Sequence, residues 1–512
     1  MIGGSAFLLL APLTASRADR ESADGFAVRK DPGGRAFLTG WSPLERSGKR
    51  WWTAWVANGL GAATAVVLLA QAQAQPVSAH VLDDDVVLGV SRASLSTQGA
   101  EANGQTLGAV LSASGRFVAF ASGATSLVRG DRNGVSDVFV RDLVRRRTWR
   151  VSISSSGAES DGPSMKPSIS ADGHVVAFPS SATNLVPDDR NGVPDVFVRD
   201  RAAARTKRIG TGRPGEADAA SLAALVSANG RTIAFSSDAS NLVPADANGT
   251  MDVFLTDRVT GRTRRVSVGP FGESPDRSEA SSIDARGLVV AFRSFATNLV
   301  YGDGNGKADV FVFDRRTGLT ERVNVSSTGD EARAATFRGV ISGDGRFVGF
   351  RSRASNLVAE DTNHALDAFV HDRWTRVTSR ISVAADGDQA DADDLDRPTR
   401  RNLFMSRPFL SADGRYAAFT SLAPNLVPDD RNGVSDVFLH DLFTGATSRV
   451  SVSADGGEAN AASVVSGISA DGSIVAFTSL ADNLVVGDTN GRRDVFVAQL
   501  RVPGDVARSH PR

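Results

Sequence analysis

Cysteine is absent from this chain, which excludes disulfides, a thiolate nucleophile, a Cys-ligated metal and a lipid-modified N-terminal Cys. Histidine is scarce, with six in 512 residues, so few side chains are suited to imidazole chemistry near neutral pH. An excess of one charge is also missing. Lys and Arg number 57 against 58 Asp and Glu, with both signs interspersed. No basic field is available to hold a phosphate backbone, and nucleic acid is not an expected partner. Long apolar runs are lacking except for one stretch, Trp51 to Ala70.

That stretch comes after Arg46, Lys49 and Arg50 and precedes Ala72-Gln73-Ala74, which has the small-x-small form of a signal-peptidase site. Residues 46–75 therefore read as a signal peptide, or as a membrane anchor, because the run approaches the roughly 20 residues that span a bilayer. Either reading exports the rest of the chain, to a secreted, periplasmic or cell-surface location. Because the signal begins internally, residues 1–45 are expected to be disordered or an over-extended gene start.

What the chain does have is a repeat, and a period of this size points to stacked or radially arranged units. Asp-Val-Phe-Val or a close variant begins at Asp137, Asp195, Asp252, Asp309, Asp367, Asp436 and Asp494, at spacings of 58, 57, 57, 58, 69 and 58. Each unit also holds a stretch like Ser112 to Phe120, then Asn-Leu-Val, Asp-x-Asn-Gly and a run like Arg449 to Ser453. These are short runs of Val, Phe, Ile and Ser bounded by turn residues, which predicts strands. Asp172-Gly173, Asp344-Gly345, Asp413-Gly414 and Asp471-Gly472 mark a hairpin between the first and second strands. Thr260-Gly261, Thr317-Gly318 and Thr444-Gly445 mark a turn between the third and fourth.

The second strand is apolar or small on both faces, as in Phe347 to Phe350 and Val175 to Phe178, so both faces of each sheet must be covered. Four-stranded antiparallel meanders covered on both sides are propeller blades. The seventh unit ends near Leu500 without a fourth strand, while Arg92 to Glu101 aligns with Arg449 to Glu458 and has no blade before it. The fold expected is all-β: a seven-bladed β-propeller over residues 84–500, its ring closed by the N-terminal strand, with a disordered tail at 501–512. Closure removes the edges that an open array would expose, and a monomer is expected.

The Ser-x-Asp-Gly-x-x-Val-Ala-Phe hairpin followed by Asp-Val-Phe-Val-x-Asp resembles the WD-like repeat of TolB-type bacterial β-propellers. The resemblance covers all seven units, roughly four fifths of the chain. It implies an exported propeller whose relatives mostly bind other proteins. It is confined to the propeller, since residues 1–80 show no alternating strand and helix pattern.

One polar motif recurs between the second and third strands: Asp131/Asn133/Asp137, Asp189/Asn191/Asp195, Asp246/Asn248/Asp252, Asp303/Asn305/Asp309, Asp361/Asn363/Asp367, Asp430/Asn432/Asp436 and Asp488/Asn490/Asp494. Oxygen ligands at alternating positions beside a turn resemble a calcium loop, though three side chains leave the shell to be completed by backbone or water. The competing reading is an Asx-turn in which Asp and Asn hold backbone amides. Calcium is thus the one cofactor the sequence raises. In an up-down meander these loops share an end with the blade-to-blade connectors. The connectors carry a recurring acid at Glu101, Glu159, Glu216, Glu273, Glu331 and Glu458, with Gln389 in the divergent position.

One connector is longer by 11 residues and holds Asp386, Asp388, Asp391, Asp393, Asp394 and Asp396, then Arg397, Arg400 and Arg401. A unique function belongs where units differ, so these residues are the candidate ligand-binding loop; the alternative is a tolerated surface insertion. His371 and His440 share one position, occupied elsewhere by Arg141 and Arg199, and read as surface residues at a strand end. No catalytic residue is assigned, because no Ser/His/Asp order or phosphate loop stands out from the repeat background. The function expected is a non-catalytic binding or scaffold module for a protein or cell-envelope ligand. The alternative is a propeller polysaccharide lyase or hydrolase with unlike polar groups converging on the central channel.

Overall fold

The structure, a computed structural model, describes residues 26–30, 36–41, 51–55, 86–212, 215–391 and 407–502. The chain divides into two compact units, residues 1–78 and 79–512. In the first, Phe26–Lys30, Ala36–Trp41 and Trp51–Trp55 pair in that order as an antiparallel sheet. The rest of the segment read as signal or anchor, and residues 503–512 of the tail, lie outside the described residues. Among the described residues no helix is long and apolar enough to cross a membrane.

The second unit is a seven-bladed propeller of four-stranded antiparallel sheets. In blade 1 the strands are Thr106–Leu111, Phe117–Ser122, Asp137–Asp142 and Arg147–Arg150. Every residue of the second and third strands is buried, because each blade is sandwiched between two others. Their register sets Phe120 opposite Phe139, and the rings stack with centroids 5.8 Å apart. The same pair recurs in every blade, down to Phe477 and Phe496 at 5.7 Å in blade 7. Stacked aromatic pairs add about 0.5–1.5 kcal/mol beyond the area they bury.

First strands touch the first strands of both neighbouring blades all the way around, so they form the wall of the central channel. Their hairpins interlock. Gly173 has φ +72, and a Cβ there would lie 2.4 Å from the Phe117 ring of the preceding blade; only glycine satisfies both the turn and the approach. The backbone N–H of Ala412 donates to the carbonyl of Ala470 at 2.8 Å, and that of Ala470 to Ala113 at 2.8 Å, which joins the last blade to the first.

Closure follows the expected route. Val87–Arg92 is the fourth strand of blade 7, pairing with Asp494–Leu500 so that Arg92 lies opposite Phe496. Beyond it, the Ser94 hydroxyl donates to Asp494 Oδ1 at 2.5 Å, and Ser94 Oγ accepts the Val495 N–H at 3.0 Å.

Because the stacked phenylalanines are the largest fully buried side chains, Phe292→Ala is expected to cost about 3–5 kcal/mol in urea unfolding. Val486, fully exposed, should tolerate alanine within about 0.5 kcal/mol. Equal losses at both positions would contradict this account of the core.

Candidate functional site

The loops between second and third strands and the connectors between blades lie at one end of the ring, called here the loop end. Each Asp-Asn motif there is drawn together as expected, but around an arginine of the fourth strand. In blade 1, Arg150 Nη1 lies 3.1 Å from Asp131 and 3.3 Å from Asp137, and Nη2 pairs with Glu159 of the connector. Arg208 repeats this with Asp189, Asp195 and Glu216, and Arg265 with Asp246, Asp252 and Glu273. Arg322 does so with Asp303, Asp309 and Glu331, and Arg92 closes the series with Asp488, Asp494 and Glu101. Arg449 pairs with Asp430 and Glu458. In blade 5, Arg380 takes Asp361 and the amide oxygen of Gln389, the latter at 2.8 Å.

The asparagines complete the arrangement, and their orientation differs from the one a calcium loop requires. Asn133 Nδ2 donates to Asp137 Oδ2 at 2.8 Å and to the Ser160 carbonyl at 3.0 Å, while its Oδ1 accepts the Val135 N–H at 3.3 Å. The last bond is the Asx-turn contact. Asn191 likewise donates to Asp195 and the Ala217 carbonyl, and Asn248 to Asp252 and the Ser274 carbonyl. Asn305 bonds Asp309 and the Ala332 carbonyl, Asn432 bonds Asp436 and the Ala459 carbonyl, and Asn490 bonds Asp494 and the Ala102 carbonyl. Asn363 donates to the Ala390 carbonyl at 3.1 Å, while Asp367 Oδ1 accepts from Ser382 at 2.6 Å.

In every blade the asparagine Oδ1 accepts a backbone N–H two residues on: Val193 donates to Asn191, Thr250 to Asn248, Lys307 to Asn305, Ala365 to Asn363, Val434 to Asn432 and Arg492 to Asn490. Each amide thus spends its oxygen on the turn and points its NH2 inward, a donor where a cation would need an acceptor. In this structure the seven asparagines serve as turn residues. Asp137 Oδ1 also accepts from Ser152 at 2.5 Å and Ser160 at 3.0 Å. The positive charge that a cation would bring to these carboxylates is supplied within each blade by arginine. Among the described residues no group of three or more His, Asp or Glu is arranged to hold a metal.

The extended connector is only partly in view. Asp386 and Asp388 belong to a tight turn, Ala384 to Asp388, which has the same hydrogen bonds as Ser154 to Ala158 in the ordinary connector of blade 1. They are part of the repeat and not of the added length. Asp391 donates its N–H to Asn425 Oδ1 at 3.0 Å. Asp393, Asp394, Asp396, Arg397, Arg400 and Arg401 lie outside the described residues.

His371 and His440 are buried, contrary to the surface position expected for them. The third strand is interior to the blade, and each Nδ1 meets a threonine hydroxyl of the fourth strand, Thr378 at 2.8 Å and Thr447 at 2.9 Å. Arg141 and Arg199 make the same contact, with Thr148 and Thr206. Burial pushes both imidazoles down to about 4, so they are neutral at physiological pH.

The channel wall breaks the symmetry at one level. Four residues before the residue that opens each hairpin, blades 1 to 7 carry Gly108, Lys166, Ala223, Ala280, Arg338, Arg407 and Val465. Three cations thus enter the channel near the loop end, with Glu279 beside them. Sequence reasoning missed them, although aligning the seven first strands at this position would have exposed the change from small residues to cations.

No protein-family model matches this sequence, and no curated protein sequence matches it. Solved structures resemble it distantly. TolB from Acinetobacter baumannii is 14% identical, with 72% of this chain and 77% of that chain covered and a TM-score of 0.32. An oligogalacturonate lyase in complex with manganese is 10% identical, with 94% and 99% covered and a TM-score of 0.44. The β-propeller domain of the Trilobed protease from Pyrococcus furiosus is 13% identical, with 80% and 98% covered and a TM-score of 0.43. At these levels the likeness carries no assignment of function.

The arginine clusters lead to two expected outcomes. Burial raises Asp131, Asp189, Asp246, Asp303 and Asp430 to about 6 against the pull of their arginines, whereas the hydrogen bond from Arg150 holds Glu159 below its ordinary range. A carboxyl raised in the folded state binds protons there before it does in the unfolded chain, so stability should increase as pH falls from 7 to about 5. The two histidines oppose this between 6.5 and about 4, but the five aspartates outnumber them. At still lower pH the lowered glutamates protonate in turn and stability should drop. A melting temperature that declines steadily from pH 7 downward would contradict this balance. Separately, melting curves in EDTA and in millimolar calcium are expected to coincide, since an ion would have to displace a guanidinium; a calcium-dependent rise would make the loops ion sites.

Proposed function

We propose that this chain is an exported β-propeller acting as a non-catalytic binding or scaffold module for a protein or cell-envelope ligand, which it engages at the loop end. The observation that carries this reading is where the symmetry fails. The recurring polar groups pair internally, blade by blade, whereas the departures gather at the loop end. These are the extended connector, the channel cations and the connector after blade 3, where the bridge that five other connectors make once is followed by a second pair, Val268–Gly269 with Gly272–Glu273. That hairpin presents Phe271, whose ring meets Tyr301 edge-on at 4.9 Å, with both side chains largely exposed. Export rests on the basic residues, apolar run and small-x-small site of residues 46–75.

The five aspartates raised to about 6 are buried against their arginines, and the remaining candidates for acid–base work are poorly tuned for it. The two buried histidines are neutral and bonded to threonine. In the channel, burial works to raise Glu279, but Arg338 and Arg277 outweigh it and hold the carboxyl below its ordinary range. A general base works best with a pKa near the operating pH.

Deleting residues 392–402 returns the connector to the common repeat length. That variant is expected to melt like the parent and to lose retention of envelope components on the immobilised protein. Unchanged retention would remove the extended connector from the site. Incubation with neutral and acidic polysaccharides is expected to release no reducing ends, and their release would replace this reading with a lyase or hydrolase.

A further inference from the structure

The cations in the channel come from blades far apart in the ring. Arg338 of blade 5 pairs with Glu279 of blade 4, Nη2 to Oε2 at 2.6 Å and Nε at 3.0 Å. Glu279 also accepts from Arg277 Nε at 2.9 Å. Arg407 of blade 6 reaches past blade 5 and donates to the Ser281 carbonyl of blade 4. Lys166 approaches from blade 2, across the channel from blade 5. Among the described residues its ammonium has no hydrogen bond or ion pair, and its side chain is open to the channel. One glutamate therefore serves Lys166, Arg338 and Arg277, Arg407 is bonded to a carbonyl, and positive charge remains in excess.

The backbone aims Lys166 inward. Its φ is +42, matched by +58 at Gly108 and +53 at Ala223, and in blades 1 and 3 this position lies in a β-bulge. Bulges re-aim side chains. A Cβ on Gly108 would come within 3.3 Å of Lys166 Cα, so the small residue on blade 1 leaves room for the lysine. The strain of this environment is electrostatic too. Burial lowers the Lys166 ammonium, and Arg338 and Arg407 lower it further while Glu279 opposes them. Burial, then Arg338, brings Arg407 down to about 10.

Beside the lysine the wall is apolar. Met165 precedes Lys166 and Leu107 precedes Gly108, and these side chains are 46% and 56% exposed. Exposed apolar side chains grouped beside uncompensated charge point to a ligand with both characters. The cations occupy a single level of the wall, which suits one anionic head and not a polymer with charges along its length.

We propose that this level of the channel is a binding site for a small amphiphilic carboxylate, its head against Lys166 within the field of Arg338 and Arg407 and its apolar body against Leu107 and Met165. The proposal rests on the binding-module reading above and names a ligand class for it.

The test is calorimetric titration of the full chain with decanoate below its micelle-forming concentration. One site per chain is expected, with affinity falling as salt is added. Lys166→Met should weaken binding roughly ten-fold or more, the loss of a charge-assisted contact, while melting like the parent. Lys166→Arg, which keeps the charge, should retain most of the affinity. Decanol, without the charge, and butyrate and citrate, without the long apolar body, should bind far more weakly. Equal binding of decanol or citrate, an unchanged affinity in Lys166→Met, or no binding of decanoate at all would each overturn the proposal. If decanoate fails while deletion of residues 392–402 still abolishes envelope retention, the binding-module reading stands and only the channel site falls.

Discussion

The guanidinium at the centre of each blade's carboxylates is the interaction on which the ring depends. A fully buried aspartate such as Asp137 is tolerated only when its charge is paired and its lone pairs are filled. Arg150 brings together the loop after the second strand, the start of the third strand, its own fourth strand and the connector. Of these, the loop and the connector are the parts of a blade that its sheet hydrogen bonds leave undefined. The connector held by Glu159 leads directly into the first strand of the next blade, so each arginine also fixes where its neighbour begins. A planar group with five donors can serve several segments at once; an ammonium could not do so with the same geometry.

That division of labour explains why the molecule is regular in its body and irregular at one end. The second and third strands, with their phenylalanine pairs, cannot vary without opening a void between blades. The first strands face water in the channel along part of their length, and the connectors face it at the loop end. Side chains there can change without disturbing the stack. The position varies from blade to blade: it is packed into the core as Ala280 and Val465 on blades 4 and 7, and glycine on blade 1 leaves room for the lysine of blade 2.

The architecture was legible in the sequence because its signals are periodic. Seven Asp-Val-Phe-Val strings, the Asp-Gly hairpins and the unpartnered strand at each terminus were enough to count the blades and close the ring. The site was legible only in part. The Asp-Asn motif was visible because its members lie within seven residues, but its occupant was not: Arg150 comes 13 positions after Asp137 and belongs to a different strand. Nor does a motif record which way an amide faces, and that orientation separates a turn from an ion ligand at Asn133 and its six equivalents. The burial of His371 and His440 depends on a neighbouring strand and a neighbouring blade, which no local pattern records. The channel cations are separated by more than 170 residues in the case of Lys166 and Arg338, and only the curvature of the ring brings them to one level. At Asp386 and Asp388 the acidic composition hid the ordinary turn they form.

Closure has a consequence for the order of events in the life of the chain. Ser94 and Asp494, whose side chains meet at the seam, are 400 positions apart, and the strand Val87–Arg92 has no partner until Asp494–Leu500 has been synthesised. Contacts of such long range are slow to form. Six blades can assemble as a growing arc, yet the arc keeps two raw edges until the last strand arrives. A chain cut short anywhere before residue 494 never hides them, so the seam distinguishes complete molecules from incomplete ones.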